Sequence, residues 1–536
     1  MSATAPLHPT PPEDAGLSYD CAEEGAWPRD GVTLTLVAEP VTVAPAAPPH
    51  AAEAPVRAWA QRFAGQLAWN VVSEVAARGA SLWLSFWCAR ALAVSTFGRF
   101  TFALALTQYL WLLGDASANG GFAAREIARL RATHPGRAAR LAGRFLSLRA
   151  GAGLALAVLV ALVSRALPLD ADTRGALLGA TVFLVAYGAF ADWALRAFED
   201  FRGLAFASLA AAGSLVASTL LWLPSHPQSA VAAALWGGSF GVAALVAFVR
   251  LRLRRRVRFA APHPLDTGHW ARSAVFSVGA VAGIGAAQAP LLAMGLLGEA
   301  HAGGLFGAAY RLVVAVLGVF SVLWWPLFPV LARSRPEHAE FRDALAALAR
   351  TALTLALPAA VTFLVWPREV LTLAFGSRYA DGAAALRVAA IGIPVFACSG
   401  LLEQACLAAG QESLRARAFG FAVVLVAGGA WLAVPALGGV GAALLLPMAY
   451  GFTGVVFAVV LGPILPLARL AREAVPVAAA SVALAAAWLL CRTLGAAFLP
   501  SFLVGAALYA GVAITAGFTR TDARGAGGAS PTETRA

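Results

Sequence analysis

Long apolar runs alternate with short connectors along this chain. Fourteen runs of roughly 20 residues succeed one another, the length needed to cross a bilayer as a helix. Their limits are 67–93, 98–121, 146–166, 176–198, 204–223, 229–249, 273–297, 304–331, 347–366, 382–409, 417–435, 439–462, 474–492 and 498–518. In hydrocarbon every backbone amide must find its partner within the segment, so such runs become helices. The pattern predicts an all-α integral membrane protein with about fourteen transmembrane helices.

The polar positions carry a second pattern. Only every second connector is rich in arginine, most strongly over 125–149, 250–272 and 333–350, while 223–228 and 298–304 contain none. Short arginine-rich loops stay on the cytoplasmic side. Both chain ends are therefore expected inside. These connectors would also meet anionic membrane lipid.

Composition agrees: the chain is 60% hydrophobic and 13% charged. A formal net charge of +12 suggests nucleic acid as a partner. The arginines lie in loops between spans, however, with no sizeable soluble region to form a groove, so no nucleic-acid role is expected. All 40 basic residues are arginine. A P-loop needs a lysine on the phosphates, so this polypeptide cannot carry one. Cys21, Cys88, Cys398, Cys406 and Cys491 show no CxxC or metal-ligand spacing, and no HExxH occurs. No metal and no cofactor is expected.

The spans also repeat. Gly98-Arg-Phe-Thr-Phe-Ala opens span 2, and Gly304-Leu-Phe-Gly-Ala-Ala opens span 8. Asp192-Trp-Ala-Leu-Arg-Ala matches Glu403-Gln-Ala-Cys-Leu-Ala with the acid in register. Each match is offset by six spans, and an even number gives a parallel repeat about an axis along the membrane normal. The expected layout is a disordered cytoplasmic tail over 1–60 and a six-helix lobe over 61–249. A basic linker over 250–272, a second six-helix lobe over 273–462, a helix pair over 463–518 and a cytoplasmic tail over 519–536 follow. The two lobes would face each other across a central cavity.

Charges within spans are costly and so each calls for a reason. Glu74 and Arg78 stand i, i+4 on span 1 and could neutralise each other or serve the cavity. Arg311 on span 8 and Arg387 on span 10 are further buried cations, and Arg90 lies near the outer end of span 1. Asp115 near the inner end of span 2 suits a cap or hinge, and Asp192 and Glu403 near the inner face suit gating or coupling. Pro290, Pro326, Pro329, Pro358 and Pro394 punctuate the second lobe, where they can kink helices.

Several stretches resemble one family. They are Phe97-Gly-Arg-Phe-Thr-Phe-Ala, Leu112-Leu-Gly-Asp-Ala-Ser-Ala-Asn and Ala124-Arg-Glu-Ile-Ala-Arg129. Leu305-Phe-Gly-Ala-Ala-Tyr-Arg311, Leu327-Phe-Pro-Val-Leu-Ala-Arg333, Phe375-Gly-Ser-Arg-Tyr-Ala, Ala385-Leu-Arg-Val-Ala-Ala and Leu407-Ala-Ala-Gly-Gln-Glu412 join them. Their order resembles the polysaccharide-exporter branch of the multidrug/oligosaccharidyl-lipid/polysaccharide exporter superfamily. The resemblance implies a non-enzymatic flippase of the bacterial cytoplasmic membrane. Its cargo would be an undecaprenyl-diphosphate-linked oligosaccharide for surface or exopolysaccharide synthesis, moved by alternating access. Glycan polymerase or ligase machinery would be a partner. Two features depart from the pattern: the usual core is twelve spans, the extra pair resembling lipid II flippases, and Ala116-Ser117 replaces an expected Gly-Leu after Asp115.

A diphosphate in a membrane cavity needs fixed positive charge, which arginine supplies with bidentate geometry. Arg78 and Arg311 are the leading candidates, followed by Arg387 and Arg90, with Glu74, Asp115, Asp192 and Glu403 as gating or coupling residues. The alternatives are a lipid II-type flippase, a drug/cation antiporter of the same fold, whose cavity should be dominated by acids, and a membrane glycosyltransferase or polymerase.

Overall fold

A computed structural model describes residues 49–114, 122–260, 267–333, 338–463 and 465–516. Most of both expected tails, and Asp115, lie outside the described residues. Residues 60–536 form one compact unit. The first helices are α1 (Pro49–Ala91), α2 (Val94–Gly114), α3 (Phe122–Thr133), α4 (Pro135–Ala166), α5 (Ala171–Ala189), α6 (Asp192–Ala197), α7 (Phe201–Trp222) and α8 (Ser229–Arg255). Then come α9 (Thr267–Leu297), α10 (Ala300–Arg333), α11 (Ala339–Val365), α12 (Pro367–Phe375), a 3-10 turn (Ser377–Gly382), α13 (Ala383–Ala408), α14 (Glu412–Leu437) and α15 (Gly439–Val460). The chain closes with α16 (Leu467–Thr493) and α17 (Phe498–Thr515).

Within the described residues the apolar runs fall on helices, the fourth on two of them, α5 and α6. Among the described residues, eleven helices are long and apolar enough to cross a membrane. Exposed leucine, valine and tryptophan at Leu154, Leu162, Trp431, Leu432, Val455 and Val459 give these helices an outer surface suited to lipid. The first run begins earlier than expected: α1 starts at Pro49, inside the segment read as a disordered tail. Ala51, Ala52 and Ala54 favour helix there.

Two sets of helices pack mainly among themselves. In the first, α5 lies against α4 and α8, and α7 lies against α8. Small residues set the spacing: a Cβ on Gly179 would stand 2.2 Å from the Ala230 carbonyl oxygen, and one on Gly237 would stand 2.4 Å from the Phe183 amide. Such close approach replaces the hydrophobic drive that lipid removes. Phe183, Tyr187, Trp236 and Phe240 then interleave across the α5–α8 seam. In the second set, α13 packs on α10, α11 and α15, and α14 packs on α9 and α15. Gly438, at φ +56°, takes the left-handed turn that joins α14 to α15.

The sets meet through α2, which packs on α9 and α10. Gly98 and Gly304, the residues that open the two repeat-related spans, lie against each other there. A Cβ on Gly98 would stand 2.7 Å from the Gly304 amide nitrogen and 2.3 Å from the Ala300 carbonyl. This crossing lies near Arg99 and Asp170, at the end of the molecule away from the arginine-rich connectors.

The last pair is bound to the second set. Tyr509 donates to the Thr354 carbonyl at 3.3 Å, and Arg492 donates to the Val365 carbonyl. Trp366, Val477, Trp488 and Tyr509 share one buried cluster.

Candidate functional site

A cavity of about 500 Å3 opens between α1 and α10. Helix α1 contributes Glu74, Val75, Arg78, Leu82 and Ser85, and α10 contributes Arg311, Val314, Gly318 and Val319. Among the described residues the walls are therefore largely apolar, with two arginines and one carboxylate. Arg78 stands between three and four turns before the end of α1, while Arg311 stands about three turns after the start of α10. Antiparallel passage of the two spans brings these positions to comparable depth.

Arg78 Nε donates to Glu74 Oε2 at 3.1 Å, the i, i+4 pair visible in the sequence. Its Nη1 reaches across to α10, where a Cβ on Gly318 would stand only 2.6 Å away. Glycine at that position leaves room for the guanidinium. Arg311 differs. Among the described residues no acid pairs with it, and its Nε is buried without a hydrogen-bond partner. A cation so placed in an apolar wall is costly unless something anionic meets it.

Sequence reasoning missed Arg196. From α6 it donates to Glu74 Oε1 at 3.2 Å and to Asn70 Oδ1 at 2.9 Å. Glu74 is thus shared between two arginines. Arg149, counted only as the end of a basic connector, is also embedded. It is 3% exposed, lies over Trp111, Tyr187 and Trp193, and stands 3.7 Å from Asp192.

The remaining candidates lie elsewhere. Arg387 is exposed and donates to the Leu364 carbonyl at 3.3 Å, so it ties α13 to α11 and does not line this cavity. Arg90 is exposed at the end of α1, where it donates to the Leu373 carbonyl at 2.8 Å. It fastens α1 to α12, also outside the cavity lining. Both are long side chains near helix ends, free to seek the nearest carbonyl. Asp192 and Glu403 sit in register in the two repeats but take different partners: Glu403 pairs with Arg415 of α14 at 2.6 Å. Among the described residues, no cluster of His, Cys, Asp and Glu has the makings of a metal site.

No family model and no curated protein matches the chain. Solved structures do. The lipid II flippase MurJ, in an inward closed conformation, overlays with a TM-score of 0.62 at 12% identity, covering 84% of this chain and 99% of that one. A multidrug resistance MATE family transporter of the MOP superfamily, inward-facing, gives 0.59 at 14% identity, covering 73% and 95%. The MATE multidrug transporter DinF-BH gives 0.56 at 12% identity, covering 75% and 95%. These likenesses establish the fold as that of the MATE and MurJ transporters.

Proposed function

We propose that this protein is a flippase for an undecaprenyl-diphosphate-linked oligosaccharide, working by alternating access in a bacterial cytoplasmic membrane with both termini inside. The observation that carries the reading is the presence of Arg78 of α1 and Arg311 of α10 in one apolar cavity, with Arg311 unpaired among the described residues. Two arginines on facing walls can grip the oxygens of a diphosphate, each by a fork of N–H donors. The apolar surface of Val75, Leu82, Val314 and Val319 suits the start of a prenyl chain. A cavity of this size holds a head group, not a long lipid tail, which would remain in the bilayer.

The likeness to a lipid II flippase favours a lipid-linked cargo. A cation antiporter is less well served, since Glu74, the carboxylate among the described lining residues, is already bridged by two arginines. Glycan polymerase or ligase machinery would receive the product on the far side.

Arg78→Ala and Arg311→Ala, matched for membrane level, should each reduce the outer-leaflet appearance of lipid-linked sugar by about tenfold or more, the effect of losing one charge-assisted contact. Full transport in both single variants and in the double would overturn the reading.

A further inference from the structure

The arginine-bearing cavity holds its own anion. Glu74 faces Arg78 with one oxygen and Arg196 with the other, at 3.1 and 3.2 Å, and Asn70 accepts from the far side of Arg196 at 2.9 Å. Arg78 uses only its Nε for this contact. Among the described residues neither of its Nη atoms has an acceptor, and Nη1 lies across the cavity beside Gly318. Arg196 is outside the cavity lining, on the short helix α6.

We infer that Glu74 stands in for the cargo's phosphate whenever no cargo is bound, and that Arg196 is the residue that lets Glu74 be displaced. The inference rests on the anionic-cargo reading above. A diphosphate carries more charge than a carboxylate and offers more acceptor oxygens, so it competes for the Arg78 guanidinium. Displacement would ordinarily leave Glu74 as an unpaired carboxylate in an apolar wall, which is severely unfavourable. Arg196 and Asn70 remove that penalty, because Glu74 keeps a cation and the cation keeps its second acceptor. When the cargo leaves, Glu74 takes Arg78 back. A site whose own carboxylate competes with cargo binds less tightly and releases more readily, since only the fraction with Arg78 free is competent. Arg196 is accordingly a positioning residue: it acts on the cargo only through Glu74.

This arrangement requires effects of opposite sign from two partners in one ion-pair chain. A purely structural network would weaken binding whichever partner was removed. The test is calorimetric titration of the detergent-solubilised full chain with farnesyl diphosphate, with farnesol as the uncharged control. Glu74→Gln should bind the diphosphate several-fold more tightly, because Arg78 is no longer occupied. Arg196→Gln should bind about tenfold more weakly, because Glu74 then holds Arg78 alone. The double variant should match Glu74→Gln, since the influence of Arg196 vanishes with its intermediary. It also shows that the loss in Arg196→Gln is not misfolding. Weaker binding in Glu74→Gln, or a loss in Arg196→Gln that persists in the double variant, would overturn the inference while leaving the cargo reading intact. Wild-type protein that binds farnesyl diphosphate no better than farnesol, or binding unaltered by Arg78→Ala with Arg311→Ala, would overturn the cargo reading itself and this inference with it.

Discussion

Asp200 holds together a corner of the arginine-rich end. It caps α7, accepting from the Gly203 amide at 3.0 Å, and accepts from Arg250 at 2.5 and 2.8 Å. Burial pushes its carboxyl upward, but the bonds from Arg250 and Gly203 and the charges of Arg250 and Arg254 outweigh this and hold it below the ordinary carboxylate value. A lowered carboxylate contributes stability above the unfolded value of about 4 and loses it as pH falls through the folded value. Asp200→Asn should therefore lower stability by about 2 kcal/mol at neutral pH, from the weakened cap and the lost charge pair. Thermal unfolding in detergent should show a constant gap from wild type above about pH 5 that narrows below about pH 4. A gap that widens in acid would contradict the assignment. At this scale the sequence was only partly legible. The pairing of Glu74 with Arg78 follows from helical spacing. Arg196 lies four residues after Asp192, so spacing suggests a local pair, yet its acceptors are more than 120 residues away on α1. Arg387 and Arg90 look like cavity cations in the sequence, but whether a flexible side chain turns inward depends on which carbonyls its neighbours leave open.

The long helices were legible because an apolar run in a bilayer has almost no alternative to becoming one. The breaks were not. Span 4 is two helices, α5 and α6, separated at Phe190 and Ala191; no proline marks the break, and only Gly188 before it and Asp192 after it interrupt the apolar run. What stabilises α6 is tertiary: Trp193, Ala194 and Leu195 are buried, and Arg196 reaches α1. The α16–α17 pair shows the converse, two helices whose apolar runs were evident but whose attachment was not. Trp488 is 2% exposed, donates to the Ser501 carbonyl at 2.9 Å, and fills the space that Gly505 leaves open on α17. Trp488→Ala should cost about 3 kcal/mol, as large-to-small changes in packed cores do. Leu499→Ala, on an outward-facing position, should cost about 0.5 kcal/mol or less. Thermal unfolding in detergent compares the two, and equal effects would show that the pair is not packed as described.

For the whole molecule, the repeat offset in the sequence told which residues correspond, but not that they touch. Gly98 and Gly304 open the two spans whose sequences match, and their backbones meet where α2 crosses α10. A Cβ on Gly304 would stand 2.0 Å from the Val94 carbonyl, which no rotamer change can relieve. Gly304→Val should therefore disfavour this closed crossing by about 1–3 kcal/mol and shift the protein toward conformations with that end parted. Spin labels at Arg165 and Glu299 should report longer distances in the variant than in the wild type. An unchanged distribution would show that the crossing does not control closure.

Where Gly98 and Gly304 meet, that crossing is made largely of main-chain atoms, with the Val94 side chain beside them. Beside it the Thr101 side chain packs on Gly307 and Arg99 pairs with Asp170 at 2.7 Å, but the closest approach depends on two residues that carry no side chain. The cavity side chains on α1 and α10 could therefore be exchanged for a new cargo without disturbing the closure, provided these two glycines stay. Adaptation to a different glycan and preservation of the barrier against leakage would draw on separate residues.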